Sequence, residues 1–139
     1  MKKTLASRVV DSMYNNDPFS QWLGIERVEE GPGLSVLRMS VRPEMSNGLG
    51  ITHGGITYSL ADSALAFASN SHGRKAVSIE TSISHIAPVH PGDVLTAVAQ
   101  EEHLSNKTGI YKVTVKNQDG KAVALFKGTV YRTSKEWEV

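Results

Sequence analysis

The stretch Asn47-Gly-Leu-Gly-Ile-Thr-His-Gly-Gly-Ile-Thr-Tyr-Ser-Leu-Ala-Asp62-Ser-Ala-Leu-Ala-Phe-Ala-Ser-Asn70 decides the fold. Its second part, from Ile56 to Asn70, contains neither proline nor glycine and consists mainly of residues that are compatible with an α-helix. The Thr-His-Gly-Gly sequence before it suits the start of such a helix. Apolar residues occur on every side of the helical wheel, so we predict a helix that is buried on nearly all sides.

Asp62 is the only formally charged side chain between Glu44 and Arg74. A carboxylate on a buried helix is costly unless it is paired, hydrogen-bonded or protonated. Such a group is a candidate for a functional site. The alternative is a structural aspartate bonded to the neighbouring Ser59 or Ser63, and burial alone supports the two interpretations equally.

Gly54 and Gly55 favour the functional interpretation of Asp62. Their backbone N–H groups lie at the predicted helix start, with no side chain in the way. The first N–H groups of a helix lack intrahelical partners, and the positive end of the helix dipole adds to their attraction for a developing oxyanion. An oxyanion donor and an acid on one helix are the components that acyl transfer requires.

Gly55 and Asp62 are too far apart to act together from one helix. Seven residues at about 1.5 Å per residue place them roughly 10 Å apart along the helix axis. A carbonyl that is held by the amide and attacked beside the carboxylate needs a separation of about 5 to 6 Å, which is two contacts of about 3 Å. We therefore predict a homodimer with antiparallel helices, in which each acid faces the N-terminus of the partner's helix.

Length and composition limit the class of protein. A chain of 139 residues suits a single domain over residues 1–139. A net charge of +1 argues against the basic face that nucleic-acid binding needs. The chain contains no cysteine, which excludes disulfides and thiolate metal sites. Neither a signal peptide nor a run of about 18 apolar residues is apparent, so we expect a cytoplasmic protein with no nucleic-acid and no membrane partner.

Apolar periodicity divides the rest of the chain. Helical spacing predicts an N-terminal helical cap over residues 1–24, in which we expect Phe19 and Trp22 to pack in the core rather than to line a ligand pocket. We expect a loose tail over residues 134–139 with an exposed Trp137. Alternating apolar residues predict strands over residues 25–30, 34–41, 77–84, 94–101, 109–117 and 121–131.

These strands follow one another without helical crossovers, apart from the central helix. A run of strands connected in this way must be largely antiparallel. A helix that is apolar on all sides needs the sheet to curl around it and a partner to cover the side that the sheet leaves open. We therefore predict an α+β fold in which an antiparallel β-sheet wraps around a long central α-helix.

Three motifs in fixed order carry a family resemblance: Asn47-Gly48, His53-Gly54-Gly55 and Ser59-Leu60-Ala61-Asp62. Together with the strand pattern, they resemble the hotdog-fold acyl-CoA thioesterase superfamily and most of all its PaaI-like branch of phenylacetic acid degradation. The resemblance implies the hotdog fold and the hydrolysis of an acyl-CoA thioester with an aryl-acyl (phenylacetyl-like) or medium-chain acyl group. It also implies a homotetramer built as a dimer of dimers, and no cofactor apart from the coenzyme A of the substrate.

The same resemblance assigns roles to individual residues. Asp62 corresponds to the catalytic acid, acting as nucleophile or as general base on water, and Gly55 to the amide that polarises the carbonyl. Asn47 corresponds to a polar residue that helps to place the carbonyl or the water, and His53 to a histidine that supports the thioester. A further set is expected to bind the substrate: Gly54, Val77, Ser78, Arg74 and Lys75.

Most of these assignments have a structural alternative. Asn47, which precedes a glycine, also suits a turn residue that tolerates positive φ, and His53 equally suits a loop held by a backbone hydrogen bond. Ser78 lies in a strand in which every second residue is polar. Arg74 and Lys75, in the loop expected after the helix, are candidates to meet coenzyme A phosphates, although charges in a surface loop are usually only solvated.

Two other functions occur on similar chains. A hydratase of the same fold would need an Asp/His pair in a hydratase-type motif, which we do not find in the sequence. A non-catalytic acyl-CoA-binding module resembles this chain in fold but tends to lose the helix acid, which is present here. The remaining histidines show no metal-ligand spacing, so we expect no metal site.

Overall fold

A 17-residue helix packs against one face of a six-stranded sheet in the computed structural model, which describes residues 2–139. In chain order the helices are α1 (Leu5–Asn15), α2 (Pro18–Trp22) and α3 (Gly54–Asn70). The strands are β1 (Glu26–Gly31), β2 (Leu34–Ser40), β3 (Arg74–His85), β4 (Val94–Leu104), β5 (Thr108–Lys116) and β6 (Ala122–Glu136). A short 3₁₀ helix, Pro43–Met45, lies between β2 and α3.

The sheet has the strand order β1-β2-β4-β5-β6-β3, and every pairing along it is antiparallel. β3 follows α3 in the chain but pairs with β6, at the opposite edge from β1. The helix α3 therefore connects β2 to β3, two strands that are separated by three other strands in the sheet. This arrangement confirms the predicted α+β architecture of an antiparallel sheet around one long helix.

The core is built where α3 meets the sheet. Leu60, Ala61 and Ala64 are fully buried, and the alternating inward residues of β4 and β5 lie beneath the helix. Leu65 lies over Gly128 of β6, where an added Cβ would come within 2.5 Å of a leucine methyl carbon. Glycine at this position lets the helix approach the strand closely, which explains a residue that a strand interior otherwise disfavours.

One strip of α3 departs from the predicted burial. Gly55, Ser59, Asp62 and Ala66 follow one another at helical spacing and are exposed or half-buried, whereas most other faces of the helix are covered. Within one chain, the predicted burial is therefore incomplete on one face, the face that the predicted partner would cover. That face carries mainly small side chains, so within a single chain it remains partly open to solvent.

Two further predictions are wrong at the ends of β3 and β6. Arg74 and Lys75 begin β3 instead of forming a loop. The segment predicted as a loose tail continues β6 as far as Glu136, which is paired with Arg74. Trp137 is half-buried, because its backbone N–H donates to the carbonyl of Gly73 and its indole N–H donates to Oδ1 of Asn70 at 2.9 Å.

The N-terminal segment contains the two helices that its periodicity predicts, although Met1 of the predicted cap lies outside the described residues. Phe19 and Trp22 are stacked with ring centroids 6.0 Å apart and are 51% and 57% exposed, so the expectation that they pack in the core is wrong. Arg42 holds this segment from outside by donating to the carbonyls of Trp22 and Leu23. Nowhere in residues 2–139 is a helix both long and apolar enough to cross a bilayer.

Candidate active site

Asp62 opens onto a mainly apolar cleft of about 380 Å³ between α3 and β3. Partial burial raises the pKa of its carboxyl above the ordinary aspartate value. Within the described residues, the carboxylate accepts no hydrogen bond. The cleft is lined by Met13, Asp62, Leu65, Ala66, Ser69, Asn70, Lys75, Ala76, Val77, Ser78, Val130 and Trp137.

Neither neighbouring serine supplies the partner that a structural role for Asp62 would need. The hydroxyl of Ser59 donates to the carbonyl of Gly55 at 2.7 Å, one turn earlier in the helix. The hydroxyl of Ser63 lies 2.8 Å from that of Ser20, which belongs to α2. Both serines thus satisfy other groups, and the carboxylate is left half-buried and unpaired. An unpaired carboxylate with a raised pKa is the state expected of an acid-base group.

His53 is the N-cap residue of α3. Its Nδ1 atom accepts a hydrogen bond from the N–H of Gly55 at 2.9 Å. The N–H of Gly54 has no acceptor among residues 2–139, so it is the free amide at this helix start. The expected donor, Gly55, is therefore already engaged, and the sequence could not reveal this because it depends on the orientation of the histidine ring.

Gly54 lines a second cleft, of about 360 Å³, together with Asn47, Thr57 and His85. An added Cβ on Gly54 would lie 3.1 Å from Nε2 of His85, so the ring approaches the helix start closely. His85 was not among the predicted site residues. Continuing the alternation of β3 beyond Ile83 would have placed it on the helix side of the strand.

Asn47 combines a turn role with a place in this second cleft. Its Oδ1 accepts from the backbone N–H of Leu49 at 2.8 Å, which forms an Asx turn. The positive φ of this loop belongs to Gly50, at +77°, and not to Asn47. Asn47 is therefore a turn residue, as the structural alternative predicted, but it acts through its side-chain oxygen and not through a positive φ. The turn fixes the side-chain amide of Asn47 where it lines the cleft.

The two central groups do not meet within one chain. Gly54 and Asp62 are eight residues apart on α3, which corresponds to about 12 Å along the axis. They line different clefts. Gly55 and His53 line a third groove, of about 290 Å³, together with the exposed Phe19 and Trp22. Phe19 and Trp22 thus line a pocket, which is the role that the sequence analysis favoured less for them.

The predicted substrate-binding residues of β3 separate into two groups. Lys75, Val77 and Ser78 line the Asp62 cleft. Arg74 does not line it, because its guanidinium donates to the side chain and the carbonyl of Asn106 in the loop between β4 and β5. Of the two cations, only Lys75 is thus positioned beside the candidate site.

Trp137 is a lining residue that sequence analysis missed. The Nζ atom of Lys75 lies 4.9 Å from the centre of its ring, and its indole N–H is held by Asn70. A single tryptophan after the last alternating apolar residues carries no periodic signal. Its position depends on β6 continuing along β3, which the sequence pattern does not reveal.

The acidic and imidazole side chains of residues 2–139 form no group of three or more that is arranged to hold a metal ion. The Asp62 cleft also contains no histidine among its lining residues. Its polar groups are one carboxylate, the Asn70 amide, two serine hydroxyls, the Lys75 ammonium and the indole N–H of Trp137. This donor set suits acid-base chemistry on a mainly apolar substrate.

Comparisons with known proteins identify the family of the chain and agree with its fold. The model of the thioesterase superfamily matches residues 49–124. A putative esterase of Archaeoglobus fulgidus is 43% identical over 98% of this chain and 88% of its own length. The acyl-coenzyme A thioesterase PaaI of Escherichia coli is 42% identical over 87% of this chain and 86% of its own.

Solved structures give the same result. The E. coli PaaI protein from the phenylacetic acid degradation operon has a TM-score of 0.93 at 39% identity, covering 95% of this chain and 96% of that one. A Streptococcus mutans protein bound to acetyl-CoA has a TM-score of 0.79 at 28% identity, covering 81% and 91%. The chain therefore belongs to the thioesterase superfamily and is a thioester hydrolase of its PaaI-like branch with the hotdog fold.

Proposed function

We propose that the protein hydrolyses acyl-CoA thioesters in sites that two copies of the chain share. The observation that carries the proposal is the separation of an unpaired carboxylate, Asp62, from a free helix-start amide, Gly54, by about 12 Å along one helix. Two relatives support the substrate class: the E. coli protein is named an acyl-coenzyme A thioesterase, and the S. mutans neighbour was solved with acetyl-CoA.

A two-fold axis near the middle of α3 would complete the site. Antiparallel packing about Tyr58, midway between Gly54 and Asp62, sets each carboxylate opposite the partner's free amide. The open strip of small side chains on α3 permits close approach of the two helices. We propose the homodimer as the functional minimum and, from the family resemblance, a tetramer formed as a dimer of dimers.

The exposed edge of the sheet supports this dimer. Within residues 2–139, β3 has a partner strand on one side only, and its Val77 and Ile79 side chains are 55% and 62% exposed. A long edge strand with exposed apolar residues is a pairing surface that proteins normally cover. Pairing of β3 with the partner's β3 would cover these residues and bring the two copies of α3 together.

In the proposed reaction, the carbonyl oxygen of the thioester accepts a hydrogen bond from the Gly54 N–H of one copy. Asp62 of the other copy takes the proton of a water molecule whose oxygen attacks the carbonyl carbon. The tetrahedral oxyanion then collapses, the C–S bond breaks, and the coenzyme A thiolate takes up the proton. Direct attack by the carboxylate, giving a mixed anhydride that water then hydrolyses, uses the same geometry.

This proposal replaces Gly55 by Gly54 as the oxyanion donor and leaves His53 as a positioning residue. A single oxyanion-hole donor typically contributes about 3 to 4 kcal/mol to the lowering of the barrier. Asn47 would help to place the carbonyl or the water beside Gly54, and Ser78 would line the site near the acid. A thiolate is a good leaving group, so this reaction needs neither a metal nor any cofactor beyond the coenzyme A of the substrate.

The acyl group is proposed to be aryl, as in phenylacetyl-CoA, or a medium-length alkyl chain. The cleft beside Asp62 is mainly apolar, which suits either group. Lys75 remains a candidate to contact coenzyme A, whereas Arg74 is less suitable because Asn106 holds its guanidinium. We place this activity in the cytoplasm, because a substrate that carries coenzyme A phosphates does not cross a membrane unaided.

The test is a hydrolysis panel of aryl- and alkyl-acyl-CoAs with free thiol as the readout, run on the wild-type protein and on Asp62→Asn. We expect turnover in the variant to fall by about 10²- to 10⁴-fold, the usual contribution of one acid-base group. Asp119→Asn, on the exposed hairpin tip between β5 and β6, is the matched control and should retain activity. A wild-type protein that binds acyl-CoA without hydrolysing it would instead be a binding module, and enoyl-CoA hydration would indicate a hydratase.

A further inference from the structure

We infer that Trp137 forms the end wall of the acyl subsite and sets the length of acyl group that the enzyme accepts. This inference rests on the proposed function, because it concerns the substrate of the same site. It assigns a specificity role to the segment after β6. The first observation is that Trp137 lines the same cleft as Asp62.

The cleft runs along α3 from the acid towards the C-terminal end of the helix. Asp62, Ala66 and Ser69 follow at helical spacing along its floor, and Asn70 lies at the far end, where Trp137 is attached. Eight residues of helix separate Asp62 from Asn70, which is about 12 Å. With C–C bonds of about 1.5 Å, that length holds an aryl-acetyl group or an alkyl chain of roughly eight to ten carbons.

The acyl part of the substrate is the part that suits this cleft. Leu65, Val130 and Met13 contribute apolar walls, and the only formally charged groups in the lining are Asp62 and Lys75. The phosphates of coenzyme A are strongly hydrated and would be costly to bury here. With the thioester at Asp62, the acyl chain therefore extends towards Trp137, while coenzyme A stays at the surface.

The position of Trp137 is fixed from several sides. Its indole N–H donates to Oδ1 of Asn70 at 2.9 Å, and its backbone N–H donates to the carbonyl of Gly73 at 2.8 Å. The Lys75 ammonium lies against its ring, 4.9 Å from the centre. A side chain held in this way acts as a rigid wall and would not swing aside for a longer chain.

The anchor of this wall does not depend on the tryptophan. Asn70 is buried, and its side-chain amide donates to the carbonyls of Ala66 and Ala76, while its Oδ1 also accepts from the N–H of Ala76 at 2.9 Å. Loss of the indole therefore leaves Asn70 hydrogen-bonded. Variants at Trp137 are expected to fold, so a change in specificity can be measured.

The first test compares kcat/KM for phenylacetyl-CoA, hexanoyl-CoA and dodecanoyl-CoA in the wild type, Trp137→Ala and Trp137→Phe. We expect Trp137→Ala to raise the dodecanoyl to hexanoyl ratio of kcat/KM about 10-fold or more, the scale at which pocket size discriminates between acyl groups. Trp137→Phe should retain most of the wild-type ratio, because a ring still closes the cleft. Tyr131→Ala, an exposed aromatic residue on the outer face of β6, is the matched control and should leave the ratio unchanged.

An unchanged length profile in Trp137→Ala would overturn the inference while leaving the proposed thioesterase activity intact. An equal loss on all substrates with a lower melting temperature would also overturn it, since that pattern indicates a structural role only. A wild-type protein with no activity on any substrate would contradict the proposed function, and a readout that needs no turnover then decides the inference.

That readout is fluorescence, because the chain contains only two tryptophans. Trp22→Phe leaves Trp137 as the sole tryptophan, and Asp62→Asn in the same protein slows hydrolysis during the titration. We expect octanoyl-CoA and phenylacetyl-CoA to change the emission of Trp137, and coenzyme A alone to leave it unchanged. Equal responses to coenzyme A and to its acyl thioesters would show that the acyl group does not reach the tryptophan.

Discussion

The Nδ1 atom of His53 accepts a 2.9 Å hydrogen bond from the N–H of Gly55, and this bond leaves the N–H of Gly54 as the free amide at the start of α3. His53 thus acts as an N-cap, a position at which a side-chain acceptor satisfies one of the orphan N–H groups of the helix. The histidine of the His-Gly-Gly motif thus decides which of the two glycine amides is available for the proposed role of oxyanion donor.

His53→Ala is expected to lower the free energy of unfolding by about 1 kcal/mol, because it removes the cap acceptor. His53→Asn should retain most of the stability, since asparagine is among the best N-cap residues. Denaturant unfolding measures both values, and acyl-CoA hydrolysis is measured in parallel. If His53 only positions the helix start, His53→Asn also restores kcat/KM, whereas a loss of activity in a stable His53→Asn would point to direct contact with the substrate.

The central helix was predictable because its composition and its flanking glycines act locally. The strands were predictable for the same reason, since alternation of apolar residues reports which face of the sheet is buried. The orientation of His53 and the position of Trp137 were not predictable. The first depends on a ring rotamer and the second on how far β6 runs along β3, and both are set by tertiary contacts that leave no period in the sequence.

The pH dependence of stability should reveal the burial of Asp62. Burial raises the pKa of this carboxyl in the folded state, so the folded protein binds the proton more tightly than the unfolded chain does. Stability contributed by this group is therefore lost as the pH rises from 3.8, the ordinary aspartate value, through the raised folded-state pKa. We expect Asp62→Asn to remove this loss and to be at least as stable as the wild type at pH 7, as judged by unfolding curves between pH 4 and about pH 7.

Activity should also depend on the ionisation of Asp62, but it should rise with pH over the range in which stability falls. The proposed mechanism needs the ionised carboxylate, so kcat/KM is expected to rise with pH through the raised pKa of Asp62. The midpoint of this limb should lie above 3.8. A pH profile of kcat/KM on a short acyl-CoA provides the measurement, and a profile that is flat over this range would remove Asp62 from the proton-transfer step.

Glu101 is expected to show the opposite pH dependence of stability from that of Asp62. Burial by itself would raise the pKa of Glu101, but the hydrogen bonds from His72 and Tyr111, at 2.7 and 2.8 Å, outweigh it, and the net pKa is lowered. Stability from this group is present above its ordinary value of 4.5 and is lost as the pH falls through the lowered folded-state pKa. We expect Tyr111→Phe to cost about 1 to 2 kcal/mol at pH 7 and less in acid.

Tyr14→Phe is the matched control for Tyr111→Phe. The hydroxyl of Tyr14 donates to the backbone carbonyl of Ile25 at 2.7 Å, an acceptor that does not titrate. The loss of unfolding free energy caused by Tyr14→Phe should therefore stay nearly constant between pH 7 and acid, while the loss caused by Tyr111→Phe declines. Parallel curves for the two variants would contradict a charged Glu101 as the partner of Tyr111.

The proposed sharing of sites between two chains predicts complementation between two inactive variants. Asp62→Asn removes the acid, and Gly54→Pro removes the free N–H at a position where proline is tolerated, the first residue of a helix. His53 already has ψ of 133°, which suits the residue before a proline. Gly54→Ala, which adds a side-chain carbon near His85 but keeps the N–H, separates loss of the donor from crowding.

Each variant alone should lose about 10²-fold or more in kcat, because every site in its homodimer lacks one component. A heterodimer of Asp62→Asn with Gly54→Pro contains one site that has both the acid and the amide, and one site that lacks both. Subunit exchange followed by a hydrolysis assay should therefore recover up to about half of the wild-type activity per heterodimer. If each chain carried a complete site of its own, both chains of the heterodimer would be defective, and mixing would restore nothing.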